Sequence, residues 1–441
     1  MSEDARRSRW ADWGRMAAGF ASVLLLLEFV HGLGFDWFRW HASVEFNPAL
    51  LEGYSWHFGQ LSLPHGLWDT AYVEETNRAY NVFPPLQSII GYVGTVGHGR
   101  PAQPGQFPEL NVIPLLFFGL PLPIVGYWVF RQRVGGDAWA AVLTLGWIGG
   151  SALLPCMEEA RRNGVHHINH LLSQVGLLIL AGELLREPAA RRLWLAWIGL
   201  LISVWSRQLT IVYGVALFAA ALGGAGESRL GAAELVSQEN RHRGRGLRRR
   251  VGFVCVGIFV IVAPLLCLNW AKFGSPFRSG YELIYVGRDT DQARDARAHG
   301  LFSTAFLGRN AYYMNAAIPW ARSDEENAVG WRPSPHGASM WVTTPILALV
   351  LLGLSNWGRD VSARTLMLCT LPIIAALLLY HNTGYRQYGY YRFALDFLPV
   401  WLIVGAQWMT QGWRRWATGV CVVWSVGYYA ILSRTPAAMG G

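Results

Sequence analysis

Lysine is almost absent from this chain of 441 residues, and Lys272 is the only lysine. Charged residues of all kinds make up only 15% of the sequence, whereas soluble domains carry about 25%. The formal net charge of +9 therefore comes almost entirely from arginine. These arginines cluster in short connections between apolar runs, so membrane orientation explains them better than nucleic-acid binding does. The composition excludes an ordinary soluble domain.

Cysteine is also scarce, and its placement argues against a disulfide framework. The number of cysteines is odd, and none lies in a long polar stretch or in the CxxC spacing of a zinc site. All five lie within or at the edge of apolar runs: Cys156, Cys255, Cys267, Cys369 and Cys421. The first apolar run is long and no small-residue cleavage site follows it, so we expect no cleavable signal peptide.

Long apolar runs dominate what is present, since 52% of the residues are hydrophobic. Runs of roughly 18 or more mostly apolar residues recur, each long enough to cross a bilayer. We predict an all-α polytopic membrane protein with about eleven transmembrane helices, forming one transmembrane domain over residues 1–441. The predicted spans are 17–35, 109–130, 138–156, 168–184, 193–206, 208–222, 251–270, 339–354, 365–381, 393–411 and 417–434.

The arginines also predict the orientation, because short cytoplasmic loops are enriched in them. They occur before the first span and at 131–133, 186–192, 241–250, 359–364 and 414–415. With eleven spans, all of these positions fall on one side. Residues 193–222 could form one bent element, but splitting them at Arg207 preserves this pattern. We therefore predict that the N-terminus and the basic loop 223–250 are cytoplasmic, while loops 36–108 and 271–338 are extracytoplasmic.

Polar and titratable residues concentrate on the predicted outer face. In the first outer loop, Asp69 precedes Thr-Ala-Tyr-Val. It could be the N-cap of a helical turn or a general base that deprotonates an acceptor hydroxyl. Glu45 and Asp36 are weaker candidates for the base, and Glu74 and Glu75 are expected to be solvated. Further along, residues 86–93 follow two prolines and are too short to span, so we expect an interfacial helix.

A second polar cluster, EEARRNGVHHINH, precedes the fourth span. His166 and His170 have the i, i+4 spacing that can bind metal, but the sequence lacks the HExxH carboxylate, and we predict no metal. Cationic and imidazole donors at a helix start suit a phosphate better. The alternative is a set of polar residues at the water interface. Glu28 and His31 lie in the outer half of the first span, where ionisable groups face a cavity or pair with each other.

Arginines at the ends of two further spans complete the candidate site. Arg207 could hold a phosphate by a two-pronged hydrogen bond, or could extend its side chain to the interface. Arg392 lies among tyrosines, including Tyr391, with Arg386 before it and Asp396 after it. An aromatic belt at the membrane surface explains the tyrosines, but not two arginines and an aspartate among them.

Several segments, in this order, resemble the GT-C superfamily of membrane glycosyltransferases, and more narrowly the bacterial relatives of polyprenyl-phosphate-sugar mannosyltransferases. They are ALLEGYSWHFGQLSLP, WDTAYVEETNRAYNVFPPLQSII, NHLLSQVGLLILAGELL, LLISVWSRQLTIV, NWAKFGSPFRSGYE and GYYRFALDFLPVWLIV. Together they run from about residue 49 to 404. The Asp-Glu pair that the family commonly has soon after the first span is absent here.

The resemblance implies a GT-C fold with a large first outer loop that contains interfacial helices, in a bacterial inner membrane. It implies an inverting transfer of a sugar from a polyprenyl-phosphate donor to a glycan, lipid or protein acceptor at the outer face, with no cofactor. It assigns Asp69, or else Glu45, as the catalytic base. Arg207 and Arg392 correspond to family arginines and would meet the donor phosphate. Apart from the resemblance, the polar clusters described above add His167, His170 and Tyr391 as candidate substrate contacts.

Two other functions remain open. A transporter or flippase of a lipid-linked saccharide predicts polar residues across the membrane midplane and internal repeats, and neither is evident. A non-catalytic scaffold for envelope assembly is compatible with the missing Asp-Glu pair.

Overall fold

The computed structural model describes residues 14–15, 17–19, 21–26, 28, 42–112, 114–161, 164–223, 236–322, 331–353, 360–384 and 387–433. Several residues singled out from the sequence lie outside these ranges: His31, Asp36, Arg162, Tyr385 and Arg386.

The described chain is mostly helical, with two small hairpins. The α-helices are α1 Pro48–Trp56, α2 Leu86–Gly94, α3 Pro121–Val134, α4 Asp137–Ile148, α5 Leu153–Arg161, α6 Val165–Leu184, α7 Leu193–Val204, α8 Gly214–Gly223, α9 Val236–Phe273, α10 Asp291–His299, α11 Leu307–Asn315, α12 Met340–Thr343, α13 Ile346–Leu352, α14 Val361–Leu379, α15 Leu398–Met409 and α16 Arg414–Ser433. The strands are β1 Thr70–Val73, β2 Arg78–Asn81, β3 Trp320–Arg322 and β4 Trp331–Pro333. Short helical stretches precede α3, α8 and α15 at Leu115–Gly119, Gln208–Tyr213 and Arg392–Asp396.

Four helical stretches in the described chain are long and apolar enough to cross a membrane, or five if the bent pair α4 and α5 is one span. The four are Leu115–Val134, Arg248–Phe273, Val361–Leu379 and Arg414–Ser433. Shorter apolar helices lie at Ala17–Leu26, Leu193–Val204, Gln208–Leu222 and Leu398–Met409. A multi-pass membrane protein fits these helices, and the number eleven stays a prediction.

Helix α6 lies at the centre of the bundle, where it packs against α3, α5, α7 and α15. Its backbone approaches that of α7 very closely. A Cβ atom added at Gly176 would lie only 2.5 Å from the carbonyl oxygen of Gly199. Such close backbone approach is typical of small residues between membrane helices. Its buried Gln174 donates to the Leu395 carbonyl (2.6 Å) and accepts from the Trp147 indole (3.1 Å). The side chain of Gln174 is thus satisfied inside the protein.

The first hairpin corrects the expected helical turn after Asp69. Strand β1 follows Asp69 directly and pairs antiparallel with β2, with Thr70 opposite Asn81. Asn77, at φ +54°, closes the connection in the left-handed region that asparagine tolerates. Alternating buried and exposed β-formers favour a strand here. Asp69 is therefore not a helix N-cap, and the chain is not strictly all-α. A helix is present at the expected place, as α2, and its position at the membrane interface stays a prediction.

The segment predicted to be the first outer loop is fixed to the bundle by a separate hydrophobic cluster. It joins hairpin residues, including Tyr80 and Phe83, to Val165 at the start of α6, Phe273 at the end of α9 and Ile284 beyond it. Beside it, the single lysine, Lys272, is buried against the buried carboxylate of Glu52 and donates to the Asn81 carbonyl at 3.1 Å. These contacts hold the segment that carries Asp69 over the start of α6.

Candidate functional site

The centre of the site is a contact between Asp69 and His166. The His166 Nε2 atom lies 3.1 Å from the Asp69 Oδ2 atom. The His166 ring packs edge-on against Phe83, with ring centroids 4.7 Å apart, which fixes its direction. The Asp69 side chain is 27% exposed, so its carboxylate remains accessible to a substrate.

The charges around Asp69 keep it ionised. Burial alone would raise its pKa, but this is outweighed by the charge and hydrogen bond of His166 and by the charges of Arg288 and Arg392. The net effect lowers the pKa of Asp69 below its ordinary value of 3.8. Asp69 is therefore a carboxylate surrounded by cations, and at neutral pH it can accept hydrogen bonds but is a weak base.

Arg392 and His167 form a second contact next to the first. The Arg392 Nη1 atom lies 3.4 Å from His167 Nε2. Arg392 is only 7% exposed, yet its Nε atom and the His167 Nδ1 atom have no hydrogen-bond partner among the residues that the structure describes. Buried donors without partners are costly and rare. They indicate a place where a ligand oxygen can bind.

Arg207 differs from Arg392, because its charge is paired with a carboxylate. Its Nε and Nη2 atoms donate to the two carboxylate oxygens of Asp396 at 3.0 and 2.6 Å. Asp396 is completely buried, and the Nδ1 atom of buried His170 lies 3.5 Å from it. The Tyr213 hydroxyl also donates to the Asp396 carbonyl, at 3.1 Å. Asp396 thus compensates the charge of Arg207.

The two arginines nevertheless face the same aromatic ring. The guanidinium carbons of Arg392 and Arg207 lie 5.3 and 5.9 Å from the Phe393 ring centroid. The structure therefore brings these two predicted residues together. Tyr391 is 2% exposed and its ring packs 6.0 Å from that of Phe393, so it supports the site from inside the protein.

Two other predicted residues lie elsewhere. The Glu45 carboxylate accepts a hydrogen bond from the Gly105 backbone at 3.2 Å, which places it against a turn of the outer loop and not beside His166. Glu28 is half-buried in the helical residues of the first span. No group of three or more potential metal ligands occurs in the parts of the chain that the structure describes.

Sequence analysis did not identify Arg288, which lies in a polar loop without any recognisable motif. Its guanidinium lies over the Trp68 ring, 4.7 Å from the ring centroid, and its charge acts on the neighbouring Asp69. The sequence also did not predict the Lys272–Glu52 ion pair. The one lysine of the chain lies at the end of an apolar run, and this position was a signal that it could have a buried partner.

These features define a helical multi-pass membrane protein with an arginine-rich polar site at one end of its bundle. No family model and no curated protein matches the chain. One solved structure with a weak likeness is the archaeal oligosaccharyltransferase AglB from Archaeoglobus fulgidus, in complex with an inhibitory peptide and a dolichol-phosphate. It is 12% identical over 96% of this chain, with a TM-score of 0.38, and this chain spans 56% of its length. A likeness of this size establishes neither a shared fold nor a shared activity.

Proposed function

We propose that this protein is a membrane glycosyltransferase that moves a sugar from a polyprenyl-phosphate donor to an acceptor on the extracytoplasmic face, with inversion. The observation that carries the proposal is Arg392, a buried arginine with an unpartnered Nε atom beside His167. It lies in the same charged cluster as the accessible carboxylate of Asp69. Arg392 would bind a phosphate, and Asp69 would bind a hydroxyl.

The donor phosphate is assigned to Arg392 and His167. The charges of Arg288 and Arg392 both act on the single carboxylate of Asp69, while Arg207 is paired with Asp396. A guanidinium binds phosphate by parallel hydrogen bonds. Since Arg207 already uses two donors on Asp396, Arg392 is the better phosphate ligand. Arg207 and His170 then act through Asp396 to shape the site.

The acceptor hydroxyl is assigned to Asp69. Its oxygen attacks the anomeric carbon, the bond from that carbon to the phosphate oxygen breaks, and the polyprenyl phosphate leaves with the electron pair. The hydroxyl proton passes to Asp69, which His166 holds in place. Since the low pKa makes Asp69 a weak base, this transfer accompanies formation of the new bond and does not precede it. Arg392 stabilises the charge that develops on the leaving phosphate. A single displacement of this kind inverts the anomeric centre.

The test is sugar transfer by the purified full-length protein in proteoliposomes. A panel of radiolabelled polyprenyl-phosphate sugars is supplied with membrane extracts as the source of acceptor, and label is followed into products. We expect transfer from at least one donor, and loss of that transfer in the Asp69→Asn and Arg392→Gln variants. Movement of lipid-linked sugar across the bilayer without transfer would replace the proposal with a transporter. Absence of both activities would favour a scaffold.

A further inference from the structure

Among the aromatic residues of the first outer loop that the structure describes, Trp68 combines the highest exposure with a position directly beside Asp69. Tyr80 is buried in the hairpin, and Trp56 is partly buried in α1. Trp68, by contrast, is 71% exposed and directly precedes Asp69 in the chain. Its exposed indole offers an apolar face on which a ligand ring can stack.

The surroundings of Trp68 are aqueous and cationic. Arg288 lies over one side of the ring, 4.7 Å from its centroid. The next residue, Asp289, has an 85% exposed side chain and is paired with Arg294 at 2.5 Å. Such exposed charges are not compatible with burial in lipid. Arg294 pairs with both Asp289 and Asp291, so these carboxylates are engaged by it, and Arg288 is the cation that lies over the ring.

Arg288 is held in this position by its own segment. The Arg297 guanidinium, on α10, donates to the Arg288 carbonyl at 2.6 Å and to the Tyr285 carbonyl at 3.0 Å. Gly287, at φ +72°, makes the preceding turn in a conformation that glycine adopts without strain. The backbone that carries Arg288 is therefore fixed, so its guanidinium is pre-positioned over Trp68.

We propose that Trp68 and Arg288 form the acceptor platform, and that the acceptor is a glycan that carries a carboxylate or phosphate group. This inference rests on the proposed function, since it places the acceptor next to Asp69. The apolar face of a sugar ring stacks on the open side of the indole, while the acidic group pairs with the guanidinium of Arg288. A hydroxyl of the same or the next sugar then reaches Asp69.

A peptide acceptor fits this surface less well. Peptides commonly bind by adding a strand to a free sheet edge. Next to Asp69, however, Thr70 and Ala71 are buried, one edge of β1 is paired with β2, and β1 also packs against the helical turn Tyr281–Tyr285. The accessible feature is an aromatic ring with a cation, which suits a sugar with an acidic substituent.

The inference is tested by binding to the full-length protein in nanodiscs, without any donor. The probes are oligosaccharides that contain uronic acids, phosphorylated oligosaccharides, their carboxyl-reduced or dephosphorylated counterparts, and an acidic peptide of similar length. Saturation-transfer NMR identifies the bound sugar and calorimetry gives the affinity. We expect at least one acidic oligosaccharide to bind about tenfold more tightly than its neutral counterpart. The uronic-acid and phosphate members distinguish the two acidic groups.

Variants separate the parts of the platform. Trp68→Ala should weaken binding of the acidic oligosaccharide about tenfold, and Trp68→Phe should restore most of it. Arg288→Gln should abolish the preference for the acidic over the neutral oligosaccharide while leaving the neutral one bound. Phe277, which is 86% exposed in the loop after α9, is the matched control. Phe277→Ala should change none of these affinities.

The results distinguish this inference from the proposed function. Binding that depends on Trp68, without sugar transfer under any condition, would support the platform and contradict the glycosyltransferase. Transfer to a peptide or neutral acceptor that Trp68→Ala does not affect would support the glycosyltransferase and overturn the platform. A preference for the peptide, or no binding by any oligosaccharide in the panel, would also overturn it.

Discussion

The chemical difference between Arg207 and Arg392 comes from their neighbours. Arg207 makes a two-pronged ion pair with Asp396, whose side chain is fully buried. Arg392 contacts the imidazole of His167 and retains an unpartnered Nε atom. An ion pair mainly stabilises the fold, whereas an unpaired buried guanidinium can bind an anion. The two arginines should therefore respond differently to substitution.

We predict that Arg207→Gln reduces stability and that Arg392→Gln reduces donor binding. Loss of Arg207 leaves the buried Asp396 carboxylate unpaired, which costs about 3–5 kcal/mol, and the double variant with Asp396→Asn should recover most of this stability.

Arg392→Gln should leave the melting temperature nearly unchanged and weaken binding of a polyprenyl phosphate at least about tenfold, and Arg392→Lys should also impair turnover. Thermal unfolding and lipid-phosphate titration measure the two effects. The assignment is wrong if Arg392→Gln binds donor normally.

We predict that Asp69→Asn lowers sugar transfer by roughly 10²-fold or more, because it keeps the shape of the side chain but removes its basicity. Folding and donor binding should remain nearly intact. The same proteoliposome assay, with a polyprenyl-phosphate titration as the control, measures this. Ordinary activity of Asp69→Asn would exclude Asp69 as the proton acceptor.

The pH dependence gives a separate test of the Asp69–His166 contact. Because the pKa of Asp69 is lowered, its ionised form persists at neutral pH and is lost only as the pH falls through a value below 3.8. The charge of His166 and its hydrogen bond both lower the pKa of Asp69. His166→Gln removes the charge and changes the hydrogen bond, so the pKa of Asp69 should rise. We expect the acid limb of the transfer rate to move to higher pH in this variant. An unchanged acid limb would show that His166 does not act on Asp69.

At the scale of elements, one ion pair ties the outer loop to the long helix α9. Lys272, at the end of α9, meets Glu52 of α1, and the second oxygen of Glu52 accepts hydrogen bonds from Asn81 of β2 and Ser88 of α2, both at 2.6 Å. One buried carboxylate therefore joins four elements. Through β2, this network also positions the hairpin that begins after Asp69.

We predict that Lys272→Met destabilises the protein by about 3–5 kcal/mol, because it leaves the Glu52 carboxylate buried without its cation. The double variant Lys272→Met with Glu52→Gln should be milder, since no charge remains buried. The exposed pair Arg278–Glu282 is the matched control, and its removal should cost less than about 1 kcal/mol. Thermal unfolding compares the variants. Equal effects of Lys272→Met and Arg278→Gln would show that the buried network does not tie the elements together.

At the scale of the whole molecule, loops predicted on the same side contact one another. At one end, the Arg133 guanidinium donates to the Leu185 carbonyl at 2.8 Å, which joins two of the arginine-rich connections. At the other end, the first outer loop, the start of α6 and the segment before α15 meet around Asp69 and Arg392. Which end faces the cytoplasm stays a prediction from the arginines.

We predict that position 243 is cytoplasmic and position 292 is extracytoplasmic. Single cysteines replace Arg243 or Gln292 in a variant without the native cysteines, and whole cells are treated with a membrane-impermeant thiol reagent. We expect labelling at position 292 only, with labelling at both positions after the cells are opened. The reverse pattern in intact cells would invert the orientation and place the site in the cytoplasm.

Some of this architecture was readable from local sequence, and some was not. The helices follow from apolar runs, because a backbone in lipid must satisfy its own hydrogen bonds. The strand after Asp69 was mistaken for a helical turn, because four residues carry little periodicity and the pairing with β2 decides their conformation. Arg207 and Arg392 were identified as charges at span ends, but their different partners depend on Asp396 and His167, which lie far away in sequence.

The sequence by itself determined the helical, membrane-type composition, the arginine asymmetry and the candidate residues Asp69, Arg207 and Arg392, because hydropathy and charge are properties of short segments. Only the tertiary structure decided that Asp69 contacts His166, that Arg207 is neutralised by Asp396 while Arg392 is not, and that Arg288 lies over Trp68. These contacts join residues up to hundreds of positions apart. Which of them form depends on how the helices pack and where the outer loops dock, and no local pattern encodes that.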